Sequence, residues 1–236
     1  MISNAQEFVA SLEFVYPIVF ESGDDAFPYY CGGTCFAVRL GERLFIVTAK
    51  HCLTGREGAP CIMGPDRRFF PIHQTFPLAA DEDDNDWADI TCISTYPHEH
   101  WPALQPNNAV DMDQLRNKRP FTADGRTVLV LKGYPKSHTK INPPNILRTP
   151  SLHLGVYGGP TGEKHCHYFN VEHPPIGDPN GLSGSPVVIM DHAKGRGFFP
   201  TLLGVVTRGG VGTQFLRFIG VDVVIRLLLQ LDEVSS

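Results

Sequence analysis

Thr48-Ala49-Lys50-His51-Cys52 closes a run of buried-type residues, Leu44 to Val47, and puts a histidine just past a strand end. Alone, His51 reads as an ordinary histidine at a strand terminus. Two later segments change that reading. Asp86-Trp87-Ala88-Asp89-Ile90-Thr91 presents Asp89 immediately before an apolar strand start at Ile90, Cys92 and Ile93. Gly181-Leu182-Ser183-Gly184-Ser185-Pro186 presents Ser183 in a run of small residues that lets the backbone turn sharply. A serine hydroxyl is a poor nucleophile near neutral pH and needs a positioned base. His51 is the candidate base, because imidazole titrates near neutrality. An imidazole can present the wrong nitrogen, so a carboxylate must fix its tautomer, and Asp89 is the candidate. The acidic run Asp81-Glu82-Asp83-Asp84-Asn85-Asp86 reads as an exposed loop, which favours Asp89 as the inward carboxylate, with Asp86 as the alternative.

In the order His, Asp, Ser, with these flanks, the chain resembles the chymotrypsin/trypsin-like serine proteases over roughly residues 30–225. The other common hydrolase arrangement does not fit. A nucleophile elbow reads Gly-x-Ser-x-Gly with the triad in the order Ser, Asp, His. Here Ser185 stands in place of the second glycine, and His192 follows Ser183 too closely.

The resemblance implies an all-β fold of two antiparallel Greek-key β-barrels of the trypsin-like type, with a short C-terminal helix. The expected division is an N-terminal barrel over residues 1–105 carrying His51 and Asp89, and a linker over 106–120. A C-terminal barrel carrying Ser183, with the helix, would then occupy 121–236. It implies serine endopeptidase activity with His51, Asp89 and Ser183 catalytic and the N–H groups of Gly181 and Ser183 as the oxyanion hole. The S1 pocket would fall at Gly177, or at Asp178 after a one-residue loop change, with Thr207, Arg208 and Gly209 as its wall. Asp178 in the pocket would favour Arg or Lys at P1; as a turn residue beside Pro179 it would not. Arg208 could instead select an acidic P1. The resemblance also makes a Cys31–Cys52 bridge sterically plausible, whereas a cytoplasmic home argues for thiols.

Zymogens of this family use an aspartate just before the nucleophile to pair with a newly cut N-terminus. That position is Leu182, and no Ile-Val-Gly-Gly start is seen. Activation by such cleavage is therefore not expected. The loop over 177–182 is either preformed or ordered by an activating partner protein. In this respect the chain looks more like bacterial relatives. The reading from a different class is a latent barrel that binds a peptide or partner.

Composition agrees with many short strands. Of 236 residues, 42% are hydrophobic and 19% charged, which fits a globular chain, and 23 glycines and 20 prolines supply turns. A formal net charge of −5 without a basic block argues against nucleic acid as partner, and no apolar run is long enough for a membrane span. The N-terminus, Met1-Ile-Ser-Asn-Ala-Gln-Glu-Phe, lacks a signal pattern, so a cytoplasmic location is expected. The remaining cysteines, in apolar contexts, read as buried thiols. His98-x-His100 and His165-Cys166-His167 raise a zinc alternative, but nothing in sequence completes the ligand set. No metal and no cofactor are expected.

Along the chain, residues 2–9 read as a short helix capped by Ser3 or Asn4. Leu12–Phe20 reads as a strand broken at Pro17. Thr34–Leu40 and Leu44–Thr48 form a hairpin around Gly41-Glu42 that delivers His51. Short strands follow at 69–72 and 89–94. Thr127–Lys132 opens the second barrel, with strands at 146–157, 165–171, 184–190, 201–207 and 214–221. Asp222–Leu231 is apolar at helical spacing.

Overall fold

The computed structural model describes residues 12–23, 29–64, 68–78, 86–95, 109–113, 123–142, 145–193 and 197–234. The expected helix at 2–9, the acidic run at 81–85 and the His98/His100 pair lie outside these residues.

The first half builds one sheet from β1 (Val15–Glu21), β2 (Tyr29–Leu40), β3 (Arg43–Thr48), β4 (Pro60–Met63), β5 (Phe69–Pro71), β6 (Thr75–Pro77), β7 (Thr91–Ser94) and β8 (Val110–Asp111). Its order is β5-β4-β1-β2-β3-β7-β6, and β8 pairs with β2 in parallel. Among the described residues β5 and β6 do not pair, so this is a half-barrel where the sequence suggested a closed one. β8 falls inside the stretch read as linker.

β1 runs straight through Pro17, which the sequence reading took as a break. The register explains the tolerance. Pro17 opposes Thr34, whose N–H and C=O both point away from β1, to Ser183 and Thr48. The pair is thus a non-hydrogen-bonded one, and the missing proline N–H faces the side where β4 begins only opposite Ile18. No ladder bond is lost.

The second half contains a closed six-stranded antiparallel barrel. Its strands are β9 (Val128–Gly133), β12 (Ser151–Pro160), β13 (Cys166–His173), β14 (Pro186–Ala193), β15 (Gly197–Gly209) and β16 (Phe215–Gly220), in the order β12-β13-β16-β15-β14-β9. A small hairpin, β10 (Thr139–Asn142) with β11 (Asn145–Arg148), stands outside it. Pro150 ends β11 and separates it from β12, where the sequence suggested one strand over 146–157. Leu129, Leu131, Phe169, Val171, Leu182, Val187, Val206, Leu216 and Phe218 fill the barrel interior.

The chain ends in α1 (Val221–Val234). Val223, Val224, Leu227, Leu228 and Leu231 are buried at helical spacing, so one face is apolar. That face joins the core cluster of the first sheet, alongside Ile46, Ile93 and Val205. Each such side chain contributes about 1.5–3 kcal/mol of burial. The helix therefore fastens the barrel to the half-barrel, and the site lies where the two halves meet.

Candidate active site

β3 ends at Thr48, and the chain tightens through buried Ala49 into a 3-10 turn over Lys50–Cys52 with His51 at its centre. β7 lies antiparallel to β3, with Thr48 opposite Thr91. Continuing both chains past that pair brings Asp89 against His51. Asp89 Oδ1 accepts the His51 backbone N–H at 3.0 Å, and Oδ2 lies 2.6 Å from Nδ1. The Asp89 carbonyl accepts the Lys50 N–H at 3.3 Å. An ionised carboxylate only accepts, so this contact suits the tautomer of a neutral imidazole that has its proton on Nδ1. His51 is half-exposed while Asp89 is largely covered.

Ser183 sits in a segment stitched to β15. Gly184 N–H donates to the Val206 carbonyl at 2.7 Å, and Val206 N–H returns to the Ser185 carbonyl at 2.9 Å. Gly184 has φ +84, and a Cβ there would fall 1.9 Å from the Thr34 carbonyl, so only glycine fits. The Ser183 loop is thereby pressed onto β2. The Ser183 hydroxyl donates to the Thr207 carbonyl at 3.1 Å. No Ser183–His51 hydrogen bond forms among the described residues. Rotation about χ1, which has three staggered wells, redirects the hydroxyl; such bonds often tighten only with substrate bound.

The four carbonyls from Asn180 to Ser183 are all occupied. Asn180 O accepts the Lys136 N–H at 2.7 Å, Gly181 O accepts the Thr34 hydroxyl at 2.7 Å, Leu182 O accepts the Ser185 N–H at 3.0 Å, and Ser183 O accepts the Thr34 N–H at 2.9 Å. In a trans peptide the N–H points opposite the C=O. Fixing the Asn180 and Leu182 carbonyls therefore turns the Gly181 and Ser183 N–H groups the other way. Neither donates to another group among the described residues. Gly181 holds φ +93, which a side chain would strain.

Of the candidate specificity residues, Asp178 closes a turn: its Oδ1 accepts the Asn180 N–H at 2.9 Å. Gly177 has open space around its Cβ position. Thr207 is buried and Arg208 exposed. Gly209 faces Leu216 and Pro179: a Cβ on it would lie 2.5 Å from Leu216 Cδ2 and 2.8 Å from Pro179 Cβ. Sequence reasoning gave Thr34 and Leu216 no role at the site. Lys136 acts through its main chain and leaves no side-chain signal; Thr34 was visible only as the first residue of the Thr34–Leu40 strand.

Of the two cysteine alternatives, the structure has the thiols. All six cysteines are reduced thiols. The residue facing Cys52 is Gly33, whose Cβ position is 2.5 Å from the Cys52 sulfur, so nothing opposite can bridge to it. Cys31 sits two residues earlier and directs its thiol to the Tyr134 carbonyl at 3.5 Å. The Cys52 thiol donates to the Ser183 carbonyl at 3.4 Å, and burial pushes its pKa up to about 12.

His165 and His167 take separate partners. His165 pairs with Asp222 at 2.5 Å and tilts against Trp87; His167 Nδ1 meets the Tyr157 hydroxyl at 2.8 Å. Among the described residues, no group of three or more His, Cys, Asp or Glu is placed to hold a metal ion.

The architecture is shared with solved serine proteases. Neuropsin, a serine protease expressed in the limbic system of mouse brain, superposes with a TM-score of 0.58 at 13% identity, over 96% of each chain. The thermostable serine protease AL20 from an extremophilic microorganism gives 0.53 at 12% identity, covering 89% of this chain and 92% of that one. The chain therefore has the trypsin-like serine-protease fold. No protein-family model and no curated protein matches the sequence.

Proposed function

We propose that this protein is a serine endopeptidase that cleaves protein or peptide substrates with His51, Asp89 and Ser183. The observation that carries the reading is the double grip of Asp89 on His51, next to Cys52, whose thiol reaches the Ser183 carbonyl. In this reading Ser183 Oγ attacks the substrate carbonyl and gives its proton to His51 Nε2. The resulting oxyanion is held by the Gly181 and Ser183 N–H groups. His51 then protonates the departing amine, and water releases the acyl group by the same route in reverse.

β14 pairing with β15 ends at Val205, Val206 is bonded to Gly184 and Ser185, and the next carbonyl, that of Thr207, meets the Ser183 hydroxyl. An extended peptide adding to Thr207–Gly209 as a strand would bring its carbonyl to Ser183. The side chain of the attacked residue would then enter between 177–180 and 207–209, where Pro179 and Leu216 occupy the space facing Gly209. That filling supports small P1 residues over the Arg, Lys or acidic choices that Asp178 and Arg208 suggested. The cytoplasm is proposed as the compartment, where all six thiols would stay reduced.

The Ser183 hydroxyl, turned to Thr207, favours one second reading: a latent barrel that binds a peptide or partner without turnover, or that waits for an activating partner. Incubation with a mixed peptide library, read by mass spectrometry, separates the two. Cleavage that disappears in Ser183→Ala supports the endopeptidase, whereas intact peptides that co-purify with the protein support the binding module.

A further inference from the structure

Leu182 occupies the position just before the nucleophile and is buried in the barrel interior, 1% exposed. It offers no charge with which to hold the oxyanion loop. Yet both donor N–H groups are already turned outward from their carbonyl anchors. Something else must supply the hold, and Thr34 is the residue that touches the loop at two points.

Thr34 lies on β2 of the half-barrel and is fully buried. All four of its hydrogen-bonding groups are used. Its N–H donates to the Ser183 carbonyl at 2.9 Å, and its carbonyl accepts the Thr48 hydroxyl at 2.7 Å. Its hydroxyl donates to the Gly181 carbonyl at 2.7 Å and accepts the Tyr134 N–H at 2.9 Å. The backbone contacts would survive in any residue; the hydroxyl bridge requires Thr or Ser. That bridge fixes the 181–182 peptide plane, which lies between the two donors. It also ties the loop to Tyr134, two residues before Lys136, whose N–H secures the Asn180 carbonyl. One side chain of the first half thus couples both stretches of the second half that set the Gly181 N–H direction.

Resting on the endopeptidase reading above, we infer that the Thr34 hydroxyl is a positioning residue that keeps the oxyanion hole formed where Leu182 offers no charge for an ion pair. It touches no substrate. Its loss leaves the Gly181 carbonyl and the Tyr134 N–H buried without their partner, and the loop then relaxes by turning a peptide to satisfy them.

The test compares wild type, Thr34→Val, Thr34→Ala and Thr34→Ser for kcat, KM and thermal melting on one peptide substrate. Thr34→Val keeps the shape and removes the bridge; Thr34→Ala serves if valine packs badly. Removing one oxyanion donor outright lowers kcat by about 10²–10³. Misdirecting one is expected to lower it about 10–100-fold, with KM within about twofold, while Thr34→Ser stays within a few-fold of wild type. A folded Thr34→Val or Thr34→Ala with wild-type kcat overturns the inference and leaves the endopeptidase reading standing. So does a Thr34→Ser as impaired as the valine variant. A wild type without turnover overturns the endopeptidase reading, and this inference with it.

Discussion

Asp89 holds His51 by two separate bonds, one to the ring at 2.6 Å and one to the backbone N–H at 3.0 Å. The ring bond sets the tautomer and the backbone bond sets the distance. Asp89→Asn keeps the shape but can donate to Nδ1, which then presents its lone pair and leaves the proton on Nε2. In a well-studied triad this exchange lowers kcat by about 10⁴. The same loss is expected here, with melting temperature little changed. Asp86→Asn is the control, and steady-state kinetics that implicate Asp86 instead would reassign the carboxylate.

The contact of Gly209 with Leu216 and Pro179 predicts a P1 preference for Gly, Ala or Ser. A P1-varied peptide series is expected to show kcat/KM at least about tenfold higher for Ala than for Phe or Arg. Leu216→Ala should widen tolerance toward larger residues, at a cost of about 2–5 kcal/mol in stability for a truncated core leucine. Preference for Arg in the wild type would return Asp178 to the pocket.

Unfolding the protein in denaturant without reductant and adding a thiol reagent should titrate six thiols, because Gly33, not a cysteine, faces Cys52. In the folded state the Cys52 thiol, with its pKa pushed up to about 12, should resist alkylation at pH 8. A count of four would mean that one bridge exists.

Burial lowers the pKa of His167 from its ordinary value of about 6.5; Asp222 raises it and His165 lowers it further. The unfolded chain then binds more protons in the window below about 6.5. Stability conferred by neutral His167 is complete above that value and is lost as pH falls through the folded pKa. Urea melts between pH 7 and 5 should show this decline, with a slope of at most about 1.4 kcal/mol per pH unit from one proton. His167→Gln should flatten it. An unchanged slope would place the acid sensitivity elsewhere.

What the sequence disclosed depended on how local the signal was. His51 and Asp89 were legible because each follows or precedes a buried strand, and their meeting needs only the β3–β7 pairing. The β2–β3 hairpin and α1 were legible from turn residues and apolar spacing. Pro17 misled because its tolerance depends on where Thr34 points, a tertiary matter. The half-barrel depends on whether short edge strands meet. The choice between a Cys31–Cys52 bridge and free thiols stayed open in the sequence because it turns on a two-residue displacement along β2, which puts Gly33 where a bridge would need sulfur. Thr34 escaped notice because its partners lie 100 and 147 residues away in the chain.

The central claim is that Ser183 is an activated nucleophile beside a formed oxyanion hole. Labelling with a fluorophosphonate probe tests it most directly, since phosphonylation requires both the activated hydroxyl and donors for the phosphoryl oxygen. The account predicts that the purified protein labels at Ser183 without any added partner and that Ser183→Ala does not. Absence of labelling in the wild type, or equal labelling of both, would contradict it.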